Sequence, residues 1–147
     1  MRYLVDTDWV AEYLKGRERA VQLLTSLARD GLAISLITFG EIYEGIYFGH
    51  DPQAHERGFR EFLRVVQVLP LNRSVMQRFS RVRGELRRHG QLIGDFDLLI
   101  AATALHHGLS VITNDQRHFS RVDGLRLYPS DGIGNSPRGG TIAAPPN

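Results

Sequence analysis

The sequence contains no cysteine and only one lysine, Lys15, among its 18 cationic residues. The lack of cysteine excludes a disulfide scaffold, a thiolate zinc site and a cysteine nucleophile. No apolar run approaches the roughly 20 residues that a membrane-spanning helix needs. Acidic residues at positions 6 and 8 argue against a signal peptide. These absences predict a cytoplasmic protein that makes no contact with a membrane.

The rest of the composition is typical of a folded domain. A chain of 147 residues with 42% hydrophobic residues can build one domain with its own core. The net charge of +2 is too small to indicate nucleic-acid binding by itself. We expect the domain to cover residues 1–128, and we expect the Gly- and Pro-rich residues 129–147 to form a disordered tail.

Short apolar runs alternate with helical segments along residues 1–128. The runs typical of strands are 2–5, 32–37, 66–71, 109–113 and 125–128, and most stretches between them show apolar residues at helical spacing. This alternation predicts an α/β domain with a central parallel sheet of four to five strands and helices on both faces. In such sheets ligands bind beyond the carboxyl ends of the strands.

Four acidic residues occur where those strand ends are expected to meet. Asp6 ends the first strand, Glu41 lies in the first turn of the helix after the second, and Asp97 opens the apolar helix before the fourth strand, which Asp115 follows. Carboxylates brought together repel one another unless a cation joins them. Mg²⁺ and Mn²⁺ suit carboxylate and water ligands. The pattern predicts a metal site that activates water and neutralises charge on a phosphate.

Each acid also has a purely structural interpretation. Thr38-x-x-Glu41 matches a capping box, in which the glutamate reaches back to a backbone N–H. Two of the other candidates, Asp6 and Asp115, are placed as N-caps of the helices that follow them, and so is Asp95, two residues before Asp97. Asp97 itself has no obvious capping role. Because residues two apart on a helix point to different sides, Asp95 and Asp97 are not expected to face the same ion. We expect Asp95 to cap the helix and Asp97 to face the metal.

Four segments carry a family resemblance: YLVDTD at 3–8, TFGEIYEG at 38–45, IGDFDLLIAATAL at 93–105 and VITNDQRHF at 111–119. Together they resemble the four motifs of PIN-domain ribonucleases, and most closely those of VapC toxins of bacterial type II toxin–antitoxin pairs. The resemblance covers residues 1–128.

The resemblance implies a PIN-like domain and an endoribonuclease that depends on Mg²⁺, with Mn²⁺ as a substitute. It implies a homodimer, neutralised by a VapB-like antitoxin, and a higher-order toxin–antitoxin complex. Carried over by position, the site acids are Asp6, Glu41, Asp97 and Asp115, with Asp95 at a variable place in its motif.

Polar residues beside the acids are candidate auxiliary groups. Thr7, Thr113 and Asn114 could hold a water or a phosphate, although ordinary turn chemistry explains them equally well. Residues 72–90 contain six arginines against one glutamate. Arg83 and Arg87 are the candidate RNA contacts there, and the alternative is a solvated face opposite an apolar stripe.

The helix predicted over 38–47 and the residue after it carry more apolar groups than one buried face can hold. These groups are Phe39, Ile42, Tyr43, Ile46, Tyr47 and Phe48. We expect the core to bury most of them and the remainder to contact a partner chain, either a second copy or an antitoxin helix.

Two other functions remain open at this point. Asp6-x-Asp8 after a strand, with Ser35 ending the second strand, resembles a haloacid-dehalogenase-type phosphatase, but the lysine that this family needs later in the chain is missing. The second alternative is a non-catalytic RNA-binding module whose acids only cap helices.

Overall fold

Five strands and seven α-helices make up residues 1–128, the part of the chain that the computed structural model describes. The strands are β1 (Tyr3–Val5), β2 (Leu32–Ser35), β3 (Val66–Leu69), β4 (Ser110–Ile112) and β5 (Arg126–Tyr128). The helices are α1 (Thr7–Leu14), α2 (Glu18–Leu27), α3 (Leu36–Tyr47), α4 (Pro52–Leu63), α5 (Arg73–Arg88), α6 (Asp95–His107) and α7 (Gln116–Phe119). The predicted tail, 129–147, lies outside the described residues.

The five strands form one parallel sheet in the order β3-β2-β1-β4-β5. β1 is the central strand: Tyr3 pairs with Leu32 on one side and with Ser110 on the other. The predicted α/β class and parallel sheet are confirmed. Because all five strands run the same way, the residues that follow β1, β2 and β4 lie at one edge of the sheet.

Helices pack on both faces of the sheet, and the alternation of side chains along the strands explains why. Successive strand residues point to opposite faces, so Leu4 and Val5 enter different cores. The first core includes residues of α1 to α4, among them Val10 and Phe59. The second includes residues of α5 to α7, among them Leu86.

The apolar helix α6 lies deep within the second core. Leu98, Ala101 and Ala104 are fully buried there. α6 ends at Gly108, whose left-handed backbone (φ 66°) is the conformation that favours glycine after a helix. The firmly packed body of α6 carries its first turn, with Asp97, to the edge where the strands end. Among residues 1–128, no helix is both long and apolar enough to cross a membrane.

Candidate active site

Asp6 is a buried carboxylate at the end of the central strand. Its side chain is held on both sides: Oδ1 accepts the N–H of Thr7 at 2.8 Å, and Oδ2 accepts the hydroxyl of Thr113 at 2.7 Å. Only 5% of Asp6 is exposed. Burial raises the pKa of Asp6 to about 7 in spite of these hydrogen bonds, and the charges of Asp97 and Asp8 add to the rise. Asp6 also caps α1, as its structural interpretation predicted.

Glu41 is fixed by a short chain of hydroxyl groups. The hydroxyl of Thr7 donates to Oε1 of Glu41 at 2.6 Å and lies 2.9 Å from the hydroxyl of Thr38. A hydroxyl has one proton, so Thr7 accepts from Thr38 while it donates to Glu41. The two threonines therefore orient Glu41. Thr7 also connects Glu41 to Asp6, because the backbone N–H of Thr7 donates to Asp6.

The capping-box interpretation of Glu41 is wrong. α3 begins at Leu36, because Ser35 caps it by accepting the N–H of Ile37 at 3.1 Å. Thr38 consequently lies inside the helix, and its hydroxyl is turned to Thr7 rather than to the helix end. Ser35 is thus a helix cap in the structure.

Asp97 lies in the first turn of α6 and faces other acids. Burial raises the pKa of Asp97, and the charges of Asp115 and Glu41 raise it further. No hydrogen bond to its carboxylate exists within the described residues. These three carboxylates therefore lie close enough for their charges to oppose the ionisation of Asp97.

The expectation that Asp95 caps α6 is wrong. The helix begins at Asp95 itself, and its N-cap is Gly94, which has no side chain to offer. The carboxylate of Asp95 instead accepts Nε of Arg83 at 2.8 Å. This ion pair connects α5 to the start of α6. It also engages Arg83, one of the two arginines predicted to contact RNA. Arg87 is exposed, whereas Arg83 is partly covered.

Asp115 caps α7 and is paired with His118. Its Oδ1 accepts the N–H of His118 at 3.2 Å, and its Oδ2 lies 2.7 Å from Nδ1 of the same residue. Burial alone raises the pKa of Asp115, but these hydrogen bonds and the nearby positive charges outweigh it and leave that pKa below its ordinary value. Sequence reasoning missed His118, although its spacing of three residues after a capping aspartate was the available signal.

Thr113 connects the two sides of the site. It donates to Asp6 and accepts the N–H of Asp115 at 2.9 Å. Asn114, the third candidate auxiliary residue, is exposed and lines a cleft of about 600 Å³ between α1 and α2 that Asp8 also lines. The structure therefore brings Thr7 and Thr113 into hydrogen bonds with the acids and leaves Asn114 at the rim.

The donor set at this edge suits a hard divalent cation with water ligands. Among residues 1–128, no three acidic or histidine side chains converge into a ready-made metal cage. The available ligand atoms are nonetheless carboxylate oxygens. Asp6 is buried and has a raised pKa, and the carboxylate of Asp97 has no hydrogen bond within the described residues. A Mg²⁺-like ion takes one or two carboxylates and retains several waters. The residues present fit such an ion.

The fold and the acidic edge agree with the comparison to known families. The profile of the PIN domain matches residues 3–125, and the chain belongs to the PIN-domain family. The chain is 31% identical over 129 residues to "Ribonuclease VapC1" of Methanocaldococcus jannaschii, covering 86% of this chain and 87% of that protein. It is 29% identical over 126 residues to "tRNA(fMet)-specific endonuclease VapC" of Shigella flexneri, covering 86% and 96%.

A solved structure with the same fold is that of VapBC2 from Rickettsia felis, bound to a DNA fragment from its promoter. The TM-score is 0.80 at 26% identity, and the match covers 86% of this chain and 97% of that one. The predicted resemblance to VapC ribonucleases is confirmed. Ribonucleases of this family depend on metal ions in general.

Proposed function

We propose that the protein is a Mg²⁺-dependent endoribonuclease and the toxin of a toxin–antitoxin pair. The observation that carries the proposal is the buried Asp6, held between Thr7 and Thr113 at an edge where Asp97 also lies within reach of the charges of Glu41 and Asp115. Its relatives are VapC ribonucleases. This family assignment replaces the phosphatase alternative, and it argues against a module in which the acids are only caps.

In this proposal Asp6, Glu41, Asp97 and Asp115 would hold one or two divalent cations, and the cations would bind the phosphodiester. Asp6 and Asp97 would gain most from such a cation, because it relieves the cost of ionising a buried and a crowded carboxylate. A bound Mg²⁺ or Mn²⁺ supplies activation of water and neutralisation of the charge that develops on the phosphate. Glu41, oriented by Thr7, and Asp115, oriented by His118, complete the anionic edge and hold water by accepting its protons in hydrogen bonds.

The proposed reaction is hydrolysis of an internal phosphodiester bond of RNA. Water adds to phosphorus as the P–O bond to one ribose oxygen breaks, and the leaving oxygen takes up a proton. Thr7 and Thr113 keep their acids in place throughout, because both are bound to them in the resting structure. We place this activity in the cytoplasm, where RNA is available.

Purified protein is expected to cleave RNA internally with Mg²⁺ or Mn²⁺ and to stop when EDTA is added. Initiator tRNA belongs among the first substrates, because the Shigella flexneri relative carries tRNA(fMet) in its name. Sequencing of 5′ ends after brief induction in cells would locate the cuts. Failure to cut any RNA with either metal, together with turnover of a simple phosphomonoester, would restore the phosphatase interpretation.

The partner in this proposal is a VapB-like antitoxin, since VapBC complexes are among the solved structures that share the fold. The aromatic residues at the end of α3 offer it a surface: Tyr47 is 64% and Phe48 is 87% exposed. Phe39 and Tyr43 pack against Phe59 of α4. As predicted, the core takes most of the apolar set, including Ile42 and Ile46, and leaves Tyr47 and Phe48 outside. A homodimer and a larger toxin–antitoxin complex belong to the same proposal.

Arg87 is the arginine of α5 that we propose contacts RNA phosphates, because it is exposed and has no ion pair within residues 1–128. Arg87→Gln is expected to weaken RNA binding and to reduce the slope of log affinity against log salt by about 0.7 to 1, the effect of one phosphate contact. Arg57→Gln is the matched control, since Arg57 is exposed on α4 at the other face of the sheet. Equal slopes for wild type and Arg87→Gln would assign Arg87 to the solvated surface.

A further inference from the structure

The segment that leads into α6 is held by an arginine from a different part of the chain. Nη1 of Arg121 donates to the backbone carbonyl oxygens of Gln91, at 3.3 Å, and of Leu92, at 3.1 Å. The two carbonyls belong to the irregular stretch between α5 and α6, in which helical hydrogen bonds do not engage them. One guanidinium therefore fixes two successive peptide units of this stretch.

Arg121 itself belongs to the chain segment that begins with Asp115 and contains α7. Asp115 caps α7, and the N–H of Arg121 donates to the carbonyl of His118 at 3.1 Å just after that helix. Phe119 and Val122, on either side of this bond, are buried in the core. The backbone of Arg121 is thus rigidly connected to Asp115.

On the other side, Leu92 is followed closely by the first turn of α6. Ile93 is buried in the same core as Phe119, and Gly94 accepts the N–H of Leu98 at 2.9 Å as the first helical hydrogen bond. Gly94 gives no side-chain cap. The start of α6, and with it Asp97, therefore depends on contacts from outside the helix.

We propose that Arg121 is a positioning residue that sets the separation between Asp97 and Asp115. This inference rests on the proposed function, in which the two acids belong to one metal-dependent site. Arg121 contacts neither of them. It acts by locking the segment before Asp97 to the unit that carries Asp115, so that both carboxylates keep a fixed geometry when a cation binds.

The alternative to a positioning role for Arg121 is direct contact with RNA. It lines a shallow cleft of about 380 Å³ together with Arg81 and His89, and its Nε and Nη2 are not used in the two carbonyl bonds. A direct contact predicts a change in RNA affinity that does not depend on metal, whereas positioning predicts a change in metal affinity. The experiment below separates the two.

The test compares Arg121→Met, which keeps the stem and removes the donors, with Arg121→Lys, which keeps one cationic donor. Arg126→Met is the matched control, because Arg126 also donates to a backbone carbonyl, that of Gly108, at the opposite end of α6. Three quantities are measured: Mn²⁺ affinity by electron paramagnetic resonance, amide exchange of residues 93–98 in EDTA, and kcat and KM for RNA.

Arg121→Met is expected to weaken Mn²⁺ binding by about 10- to 100-fold, the usual cost of losing an outer-shell support. Exchange at residues 93–98 should become on the order of tenfold faster, kcat at limiting Mn²⁺ should fall, and KM for RNA should stay unchanged. Arg121→Lys should recover part of the loss. Arg126→Met should lower the melting temperature without moving the Mn²⁺ affinity.

Wild-type Mn²⁺ affinity in Arg121→Met overturns the inference, and so does an equal loss in Arg126→Met. A higher KM with unchanged Mn²⁺ binding assigns Arg121 to RNA contact instead. Wild-type protein that binds Mn²⁺ but cuts no RNA contradicts the proposed function and leaves the positioning role standing on its metal and exchange data. A wild type that binds no Mn²⁺ contradicts both.

Discussion

Replacing Asp6 with asparagine is expected to lower RNA cleavage by more than about 100-fold, because even outer-shell changes at metal sites cost 10- to 100-fold. The same change should stabilise the metal-free protein at pH 8. A neutral amide retains the shape of the side chain: its oxygen can accept from Thr7 while its nitrogen donates to the hydroxyl oxygen of Thr113. It cannot replace an anionic ligand. Cleavage assays with Mg²⁺ and melting curves in EDTA measure the two effects.

The direction of the stability effect follows from the raised pKa of Asp6. In the unfolded chain this carboxyl ionises near its ordinary pKa of 3.8, whereas in the folded protein burial raises that pKa to about 7. Between these values the folded state holds a proton that the unfolded state has lost, so the contribution of Asp6 to stability falls as the pH rises from about 4 to 7.

Asp6→Asn removes this dependence. Its advantage over wild type should be small at pH 4 and should reach a few kcal/mol at pH 8, at about 1.4 kcal/mol per pKa unit. Asp8→Asn is the matched control, since Asp8 is an exposed carboxylate in α1. It should retain cleavage and shift the pH profile only slightly, because the charge of Asp8 is the smallest of the causes that act on the pKa of Asp6. Full cleavage by a nuclease-free preparation of Asp6→Asn would refute the role of Asp6.

The second large effect is expected at Asp97, with Asp95 as its matched control two residues earlier. Asp97→Ala should leave the protein in EDTA as stable as wild type or more stable near pH 7, because the charges of Asp115 and Glu41 oppose its ionisation. It should also erase most of the rise in melting temperature that Mg²⁺ produces, a linkage effect of about 2.7 kcal/mol at 100 times Kd.

Asp95→Ala should behave in the opposite way. It loses a half-exposed ion pair with Arg83 and a negative charge at a helix start, a cost of about 0.5 to 1 kcal/mol. Most of the Mg²⁺ response and measurable cleavage should remain. Melting curves of both variants, in EDTA and in Mg²⁺, measure these quantities. A Mg²⁺ response that persists in Asp97→Ala and disappears in Asp95→Ala would reverse the assignment of the two acids.

The positions of the acids relative to the sheet could be predicted because they follow from local pattern and topology. Apolar runs locate strands, and parallel strands bring the residues after them to one edge, which is where Asp6 and Asp115 lie. The choice of Asp97 over Asp95 as the acid facing the others also followed from helical geometry. In the structure, the charges of Glu41 and Asp115 raise the pKa of Asp97.

The helix starts and the supporting contacts could not be predicted in the same way. Ser35 and Thr38 are both good capping residues, and sequence alone does not show that Thr38 is engaged by Thr7, 31 residues away. Asp95 was likewise expected to cap α6 because Arg83, its partner on another helix, was unknown. In each case a tertiary contact outweighs a local preference that is worth about 1 kcal/mol.

The hydrogen bond between Thr113 and Asp6 joins residues 107 apart in the chain, and this distance has a consequence for synthesis on the ribosome. At roughly 5 to 20 residues per second, about 5 to 21 s separate the synthesis of Asp6 from that of Thr113. Until β4 has emerged and paired with β1, Asp6 lacks the hydrogen bond from Thr113, and Asp115 cannot take its place at this edge of the sheet. If the proposed function holds, a nascent chain in which β4 has not yet paired with β1 cannot cut the RNA around it.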